Sequence, residues 1–168
     1  MYGFSAAAPG EAYVFGAAGP GAADAQVGRW LSFMESGGMS RVVCLLSRSQ
    51  MEAYDSSLME RYGGFFGPEH VVWNPVEDFS LIPGRDMDRR IIPFLVESEE
   101  RRMPVVVHCR GGLGRTGIVM AAWLSRVRGM PPVEALRVAA AGGRRPTEAV
   151  EAGRADREEL LALVGGRR

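Results

Sequence analysis

The sequence predicts an α/β fold: a single domain, residues 1–168, with a central, mostly parallel sheet that is flanked by helices on both faces. Short apolar runs of strand length alternate along the chain with longer segments in which apolar residues recur at helical spacing. Such alternation is typical of β-α-β units, whose helices cover both faces of a parallel sheet. A chain of 168 residues is long enough for one domain with a proper core, and it contains no internal repeat.

Four strands and six helices account for most of the sequence. The predicted strands are short and apolar: 12–16, 41–46, 70–73 and 104–108. The predicted helices show apolar stripes and several stop at glycine: 25–36, 51–62, 86–100, 115–128, 132–141 and 146–163. Pro93 is expected to kink its helix or to lie in the first turn. The ends of the chain, 1–10 and 165–168, are predicted to be disordered.

Composition and charge exclude several classes of protein. Twenty basic residues balance twenty acidic ones, so the chain has no bulk electrostatic attraction for nucleic acid or for a membrane. No apolar stretch reaches the length of a membrane span, and the first residues do not resemble a signal peptide. Two cysteines, Cys44 and Cys109, do not make a disulfide framework. We therefore expect a cytoplasmic monomer with neither a nucleic-acid nor a membrane partner.

The segment 108–117, His-Cys-Arg-Gly-Gly-Leu-Gly-Arg-Thr-Gly, is the most informative part of the chain. It lies between the valine run 105–107 and the apolar run 118–124, so a strand leads into a glycine-rich loop and then into a helix. The peptide N–H groups of such a loop and the positive end of the helix dipole converge on an anion. The same environment favours the thiolate form of Cys109. The pattern indicates a nucleophilic sulfur aimed at a bound anion, and phosphate is the best candidate.

The other residues of this loop suit a phosphate ligand. Arg115, six positions after Cys109, can donate two parallel hydrogen bonds to two phosphate oxygens. Thr116 can donate its hydroxyl to the sulfur, which would ease departure of the thiolate. His108 should point away from the site, because side chains alternate along a strand, and should orient the loop backbone. Substrate binding is expected from the loop itself, where glycine permits close backbone approach: Arg110, Gly111, Gly112, Leu113, Gly114 and Arg115.

The spacing Cys-x5-Arg, followed by Thr and preceded by His, resembles the signature loop of the protein tyrosine phosphatase superfamily. The form His-Cys-x-x-Gly-x-Gly-Arg-Thr-Gly is similar to that of the small dual-specificity branch. The resemblance implies a cysteine-based phosphatase fold and a phosphocysteine intermediate. No metal or cofactor is expected, because the loop and Arg115 supply the positive charge. A nucleotide-binding P-loop is a weaker interpretation, since the segment lacks the lysine and the Gly-x4-Gly-Lys spacing.

Phosphate-ester cleavage needs a proton for the leaving oxygen, and the best candidate donor is Asp78. It lies 31 residues before Cys109, in a segment that follows the apolar pair 71–72 and ends at Pro83. The resemblance implies that Asp78 is the general acid in the first step and the general base in the second. Pro83 follows Asp78 by five positions, one more than is usual in the family. Glu77 and Asp86 are the rivals for this role, and all three could also be solvated loop carboxylates.

Two further positions leave alternatives open. The segment 144–147 occupies the place where family members carry a residue that positions the hydrolytic water, so Thr147 or Glu148 could have that role. The other interpretation is an exposed basic turn before a helix. Cys44 is expected to be a small core residue, and its alternative role is a resolving thiol that protects oxidised Cys109.

The function predicted from these residues is hydrolysis of phosphate monoesters, with a phosphorylated protein or a small phosphate ester as substrate. The resemblance favours phosphotyrosine together with phosphoserine and phosphothreonine. Phosphoinositides are an alternative substrate class, although Arg110 is the only additional cation in the loop. The alternative to an enzyme is a non-catalytic module that binds phosphate. The purely structural interpretation is an inert, buried cysteine in a glycine-rich turn.

Overall fold

The structure, a computed structural model, describes residues 1–166 of the chain. Its sheet has five strands: β1 Ser5–Ala6, β2 Val14–Ala18, β3 Arg41–Cys44, β4 Val71–Trp73 and β5 Val105–Cys109. Their order is β1-β2-β5-β3-β4; β1 pairs with β2 antiparallel, and the remaining pairs are parallel. The predicted α/β class with a mostly parallel sheet is confirmed.

The helices follow the strands in β-α order. Their bounds are α1 Asp24–Ser36, α2 Arg48–Glu52, α3 Leu58–Phe66, α4 Gly84–Asp86, α5 Ile92–Glu100, α6 Gly114–Arg126, α7 Pro132–Ala141, α8 Glu148–Glu151 and α9 Arg157–Gly165. A π-helical turn, Met87–Ile91, joins α4 to α5, and Pro93 lies in the first turn of α5. Met87, Ile91 and Ile92 all have helical φ and ψ, so the helical backbone continues through this turn into α5.

Side chains of β5 alternate between two apolar cores, one on each face of the sheet. Val105, Val107 and Cys109 face a core that includes α5, α6, α7 and α9. Val106 faces the core that includes α1 and α3. Because both of its faces are covered, β5 is buried at every position. Helix α6 is buried continuously from its first residue to Leu124, since it lies between the sheet and the outer helices.

Two of the predicted helices are wrong in their extent. The helix predicted at 51–62 is two helices, α2 and α3, because the Ser57 hydroxyl accepts a hydrogen bond from Glu60 N–H and starts a new helix. That second helix continues past the expected glycine stop to Phe66, which is buried with Leu58 and Tyr62 on one face. The helix predicted at 146–163 is likewise α8 and α9, and a capping box at Asp156 starts α9.

The N-terminal residues are ordered, contrary to the prediction for 1–10. Residues 5–6 pair with β2, and Phe4 stacks on Phe15 at a centroid distance of 5.2 Å. The sequence suggested disorder because the segment is rich in small residues, but backbone pairing and aromatic packing supply the order. At the other end, α9 includes Gly165, and the prediction for 167–168 lies outside the described residues.

Parallel pairing places the carboxyl ends of β2, β5, β3 and β4 at one edge of the sheet. The loops that follow these strands therefore meet there, which is where open α/β sheets bind ligands. Among the helices of residues 1–166, none is long and apolar enough to cross a membrane.

Candidate active site

The loop between β5 and α6 exposes a run of free peptide donors. Within the described chain, the N–H groups of residues 110–116 have no protein hydrogen-bond acceptor. The next N–H along the chain, that of Gly117, does have an acceptor: it donates to the Leu113 carbonyl at 3.0 Å. Three of the free donors belong to the first turn of α6, where the helix dipole adds positive potential. The loop can therefore bind an oxyanion with its backbone alone.

Cys109 ends β5 and begins this loop. Its side chain is only 2 % exposed. The Thr116 hydroxyl, fully buried in the first turn of α6, donates to Cys109 Sγ at 3.2 Å. The structure thus brings the predicted nucleophile and the predicted hydroxyl donor into direct contact. A hydroxyl donor at this distance stabilises negative charge on the sulfur.

Arg115 is buried, and protein acceptors hold one side of its guanidinium. Nη1 donates to the Leu45 carbonyl at 3.2 Å, to the Val76 carbonyl at 2.9 Å and to Gln50 Oε1 at 2.8 Å. Nε has no acceptor anywhere in the described part of the protein. The guanidinium is therefore held in place through Nη1 while Nε remains available to a ligand.

Sequence reasoning missed Gln50. Its backbone N–H and Oε1 form a capping box with Ser47 at the start of α2. A Ser-x-x-Gln signal for a helix start is present in the sequence, but it gives no hint that the same Oε1 reaches Arg115. That contact joins positions 65 residues apart.

Of the three candidate carboxylates, the structure places Asp78 at the loop. Asp78 Oδ1 lies 3.2 Å from Arg115 Nη2, and the carboxylate is 42 % exposed. Arg154 Nη1 donates to the Asp78 carbonyl at 3.1 Å, which ties the segment to the residues after α8. The rivals are elsewhere: Asp86 Oδ2 accepts from Asn74 Nδ2 at 3.2 Å, and the Glu77 side chain is exposed.

A second carboxylate, that of Glu148, packs against the loop. A Cβ added to Gly114 would collide with Glu148 Oε2, so glycine at 114 is what admits this side chain. Burial raises the pKa of Glu148, and the nearby Asp78 carboxylate raises it further. Thr147, the alternative at this place, donates its hydroxyl to Glu151 Oε1 at 2.8 Å. Of the two residues considered for water positioning, Glu148 is thus the one in contact with the loop.

The remaining loop residues differ in their surroundings. Gly112 has φ +71°, and a Cβ there would lie 2.5 Å from the Ala17 carbonyl carbon. Gly111 and Arg110 are exposed, and Leu113 is half-buried. Beside Arg110 lies a cavity of about 150 Å³ that is also lined by Gln50 and Tyr54. The cavity therefore adjoins the loop at Arg110.

His108 lies on the opposite face of β5 from the sulfur. Its Nδ1 is 3.0 Å from the Cys109 carbonyl and its Nε2 is 2.9 Å from the Tyr62 hydroxyl. Since a carbonyl only accepts, Nδ1 carries the proton and Nε2 accepts from Tyr62. The ring also packs edge-on against Trp30. Burial lowers the pKa of His108 to about 4, so the imidazole is neutral near pH 7.

This burial makes the stability of the protein pH-dependent. Below the ordinary pKa of 6.5 the unfolded chain binds a proton that folded His108 does not bind until about pH 4. Stability therefore falls as the pH is lowered through this window, by about 2.5 kcal/mol between pH 7.5 and 4.5. Urea unfolding of the wild type and of His108→Asn at these two pH values isolates the contribution. The variant should lose less stability on acidification, and an equal loss in both proteins would contradict the assignment.

Cys44 and Cys109 face opposite sides of the sheet. Cys44 belongs to the core with α1 and α3, whereas Cys109 belongs to the other core. Both are free thiols within residues 1–166. Burial raises the pKa of Cys44 to about 12, which makes it a poor nucleophile. The arrangement favours the core role of Cys44 over that of a resolving thiol.

Comparison with known proteins agrees with this geometry. The model of the family described as "Polymorphic toxin system, DSP-PTPase phosphatase" matches residues 16–129. An uncharacterized protein of Methanocaldococcus jannaschii is 38 % identical over 67 residues, which are 40 % of this chain and 42 % of that protein. Another from the same organism is 31 % identical over 98 residues, which are 48 % of this chain and 66 % of that protein. The chain thus spans less than two thirds of the length of these curated relatives.

Solved structures share the fold over nearly the whole chain. The crystal structure of Tk-PTP in the active form has a TM-score of 0.68 and 25 % identity, and the match covers 89 % of this chain and 91 % of that one. The crystal structure of PTPMT1 has a TM-score of 0.69 at 14 % identity, with 97 % of this chain and 94 % of that one covered. Since the family model covers more than half of the residues, the chain belongs to the DSP-PTPase phosphatase family of polymorphic toxin systems.

Proposed function

We propose that this chain hydrolyses phosphate monoesters through a phosphocysteine on Cys109, with phosphotyrosine, phosphoserine and phosphothreonine in proteins as its substrates. The observation that carries the proposal is the run of acceptor-free N–H groups at 110–116, next to the unpartnered Nε of Arg115. Arg115 Nε is buried, and a buried donor without an acceptor is costly to a fold. An oxyanion bound at the loop would accept hydrogen bonds from this Nε and from the acceptor-free N–H groups. Membership of a phosphatase family supports the same chemistry.

In the first step Cys109 Sγ attacks phosphorus as the thiolate, and the bond from phosphorus to the ester oxygen breaks. The loop N–H groups and Arg115 hold the three equatorial oxygens, on which charge spreads. Asp78 gives its proton to the leaving oxygen. Asp78 Oδ1 lies 3.2 Å from Arg115 Nη2, a donor that the phosphoryl group would also use. Substrate binding would therefore release Asp78 toward the leaving group.

In the second step water attacks phosphorus, the sulfur–phosphorus bond breaks, and inorganic phosphate forms. Asp78, now a carboxylate, takes the proton from water. Thr116 donates a hydrogen bond to the departing thiolate, a role supported by its 3.2 Å contact with Cys109 Sγ. Glu148 lies against the loop at Gly114, so it is our candidate for orienting the water.

The charges around the loop support a substrate with a single phosphate. Glu148 places a carboxylate beside the anion site at Gly114, and its charge would repel additional phosphate groups. Arg110 is the one cation that the loop adds to Arg115. The alternative, a phosphoinositide substrate, is favoured by the fold shared with PTPMT1, which has been solved in complex with PI(5)P. A P. aeruginosa TpbA structure of the same fold contains pTyr.

The test is hydrolysis of p-nitrophenyl phosphate by the purified protein, with vanadate as a mimic of the transferring phosphoryl group. We expect turnover without added metal and competitive inhibition by vanadate. A protein that binds phosphate but releases no nitrophenol would be the non-catalytic module. A panel of phosphotyrosine, phosphoserine and phosphothreonine peptides against phosphoinositide micelles then decides the substrate class. A preference for the lipid would overturn the protein-phosphatase assignment.

Replacing Asp78 with asparagine should affect poor leaving groups most. Turnover of phenyl phosphate should fall about 100-fold, because its phenolate leaves slowly without a proton, whereas a nitrophenyl ester should lose less than about tenfold. Glu77→Gln removes the adjacent exposed carboxylate and is the matched control, with turnover close to that of the wild type. Equal losses on both esters would show that Asp78 is not the acid.

We also propose that the chain acts as a monomer in a reducing compartment such as the cytoplasm. Every side chain of the site comes from one copy of the chain, and a reduced thiol is needed at Cys109. Light scattering should give a mass near 18.2 kDa. A dimer that loses activity when it dissociates would contradict the proposal that the chain acts as a monomer.

A further inference from the structure

Arg144, in the turn between α7 and α8, is a buried cation on the far side of the anion loop. It is 4 % exposed. Nη1 donates to the Gly112 carbonyl at 2.8 Å. Nη2 donates to the carbonyls of Gly3 and Gly16 at 2.8 and 2.9 Å and is 2.8 Å from Ser5 Oγ. One guanidinium thus joins the loop, β2 and the N-terminal segment.

The cost of burying this group is not offset by an ion pair with a carboxylate among the described residues. No carboxylate lies within ion-pair distance of Arg144 among the residues that the structure describes, and Nε has no acceptor there. Desolvation lowers the pKa of the guanidinium, while the Cys109 charge favours the cation. A buried charge held only by neutral acceptors is expensive to a fold. Its contact with the loop therefore calls for a functional explanation.

The geometry of the peptide group supplies that explanation. In a trans peptide the C=O of one residue and the N–H of the next point in opposite directions. Arg144 draws the Gly112 carbonyl outward, so the following N–H, that of Leu113, is directed to the other side of the peptide plane. That N–H is one of the acceptor-free donors of the anion site. The positive φ of Gly112, +71°, is part of the same arrangement.

Two other glycines admit the side chain to this position. A Cβ at Gly117 would lie 2.9 Å from Arg144 Cβ, and one at Gly16 would lie 3.1 Å from Nη2. Gly117 is in the first turns of α6, and Gly16 is in β2. The guanidinium is thus packed between the strand, the helix and the loop, and it has little freedom to move away from the Gly112 carbonyl.

We propose that Arg144 is a positioning residue for the reaction: it orients the Gly112–Leu113 peptide so that its N–H faces the phosphoryl group. This inference rests on the proposed function, and Arg144 acts behind the loop without touching substrate. Arg144 lies outside the segment 16–129 that the family model matches. The proposal assigns a role in oxyanion binding to the turn before α8.

The experiment compares Arg144→Met and Arg144→Lys with Arg41→Met as the matched control. Arg41 is also a buried arginine, 1 % exposed, and its Nε also has no acceptor among the described residues. It is the first residue of β3, at the opposite end of that strand from the site. Its guanidinium donates to Ser98 and Glu97 of α5. Both Met variants should lower the melting temperature. Tungstate affinity, measured by calorimetry at a temperature where circular dichroism shows each protein folded, separates positioning from stability. It needs no turnover, so it remains informative if the proposed reaction is wrong.

For Arg144→Met we expect tungstate affinity to fall at least tenfold and kcat for p-nitrophenyl phosphate to fall about 100-fold, the usual effect of losing one oxyanion donor. The Leu113 amide resonance should no longer shift on tungstate addition. Arg41→Met should keep affinity and kcat within twofold of the wild type. Arg144→Lys keeps the charge but not the fork of donors, so it should recover only part of the loss.

Several results would overturn the proposal. The first is a folded Arg144→Met protein whose tungstate affinity equals that of the wild type. The second is an Arg41→Met protein that loses as much tungstate affinity as Arg144→Met. If Arg144→Met does not fold, the test rests on Arg144→Lys. A tungstate affinity of Arg144→Lys within twofold of that of the wild type would then overturn the proposal. Wild-type protein that binds tungstate but hydrolyses no ester would overturn the proposed function and leave the positioning role to be judged from binding.

Discussion

Replacing Cys109 with serine should reduce hydrolysis of p-nitrophenyl phosphate by at least about 1,000-fold, the scale of losing a nucleophile. The serine hydroxyl is a weaker nucleophile than the cysteine sulfur, to which the Thr116 hydroxyl donates a hydrogen bond at 3.2 Å. Serine is close in size to cysteine, so the buried environment should accept it. The loop N–H groups and Arg115 are untouched, and tungstate should therefore still bind to the variant.

This combination of results separates chemistry from binding. Steady-state turnover measures the first, and calorimetry with tungstate measures the second. Cys44→Ser is the matched control, because Cys44 faces the other core and should not change kcat. Residual activity of Cys109→Ser equal to that of the wild type would exclude a phosphocysteine intermediate. Loss of tungstate binding as well would mean that the substitution disturbs the loop and does not test the nucleophile.

Replacing Gly112 with alanine should be nearly as damaging, for steric reasons. The added Cβ would lie 2.5 Å from both the Ala17 carbonyl carbon and the Ala18 nitrogen, which are backbone atoms that cannot rotate away. The left-handed backbone adds a cost of about 1–2 kcal/mol for a residue other than glycine. The loop can avoid the collision only by moving, and movement misdirects its N–H groups. We expect kcat to fall at least about 100-fold and the melting temperature to fall as well.

Gly111→Ala is the matched control for Gly112→Ala, because it adds the same methyl group to the neighbouring loop residue. A Cβ at 111 would meet no atom closer than Leu113 Cγ at 3.9 Å, and φ of Gly111 is not positive. Alanine there should keep the melting temperature within a few degrees of the wild type, because no contact is too close. Kinetics and thermal unfolding of the two variants are to be measured together. Similar behaviour of both would show that the loop is not held against β2 as the structure has it.

The sequence alone predicted those parts of the structure that depend on residues close together in the chain. Strand β5, the glycine-rich loop and the start of α6 are contiguous, so the order of residue types along 105–117 was enough to predict a strand, a loop and a helix in this order. Local capping was harder to read. Ser57 and Asp156 each start a helix within a region that looks like one continuous helix, since the apolar spacing runs across the break.

Contacts between distant positions could not be predicted. Gln50 looks like an ordinary helix residue, and only the crossing from β3 to α2 brings its Oε1 to Arg115. Arg144 looks like part of an exposed basic turn, yet it is buried because β1, β2 and the loop close around it. Glu148 was one of two alternatives for positioning water, and its side chain lies against Gly114, 34 residues earlier in the chain. Each of these depends on packing between elements that are far apart in the chain.

The hydrogen bonds of Arg115 have a consequence for how the protein folds. Its Nη1 acceptors lie 70, 65 and 39 residues away along the chain. Closing such long loops costs entropy that only a largely assembled sheet can offset. Partly folded chains, even those with β5 and α6 already paired, would hold this guanidinium loosely. Recovery of activity during refolding should therefore lag behind recovery of helical signal, so that catalysis is acquired at the end of the folding reaction.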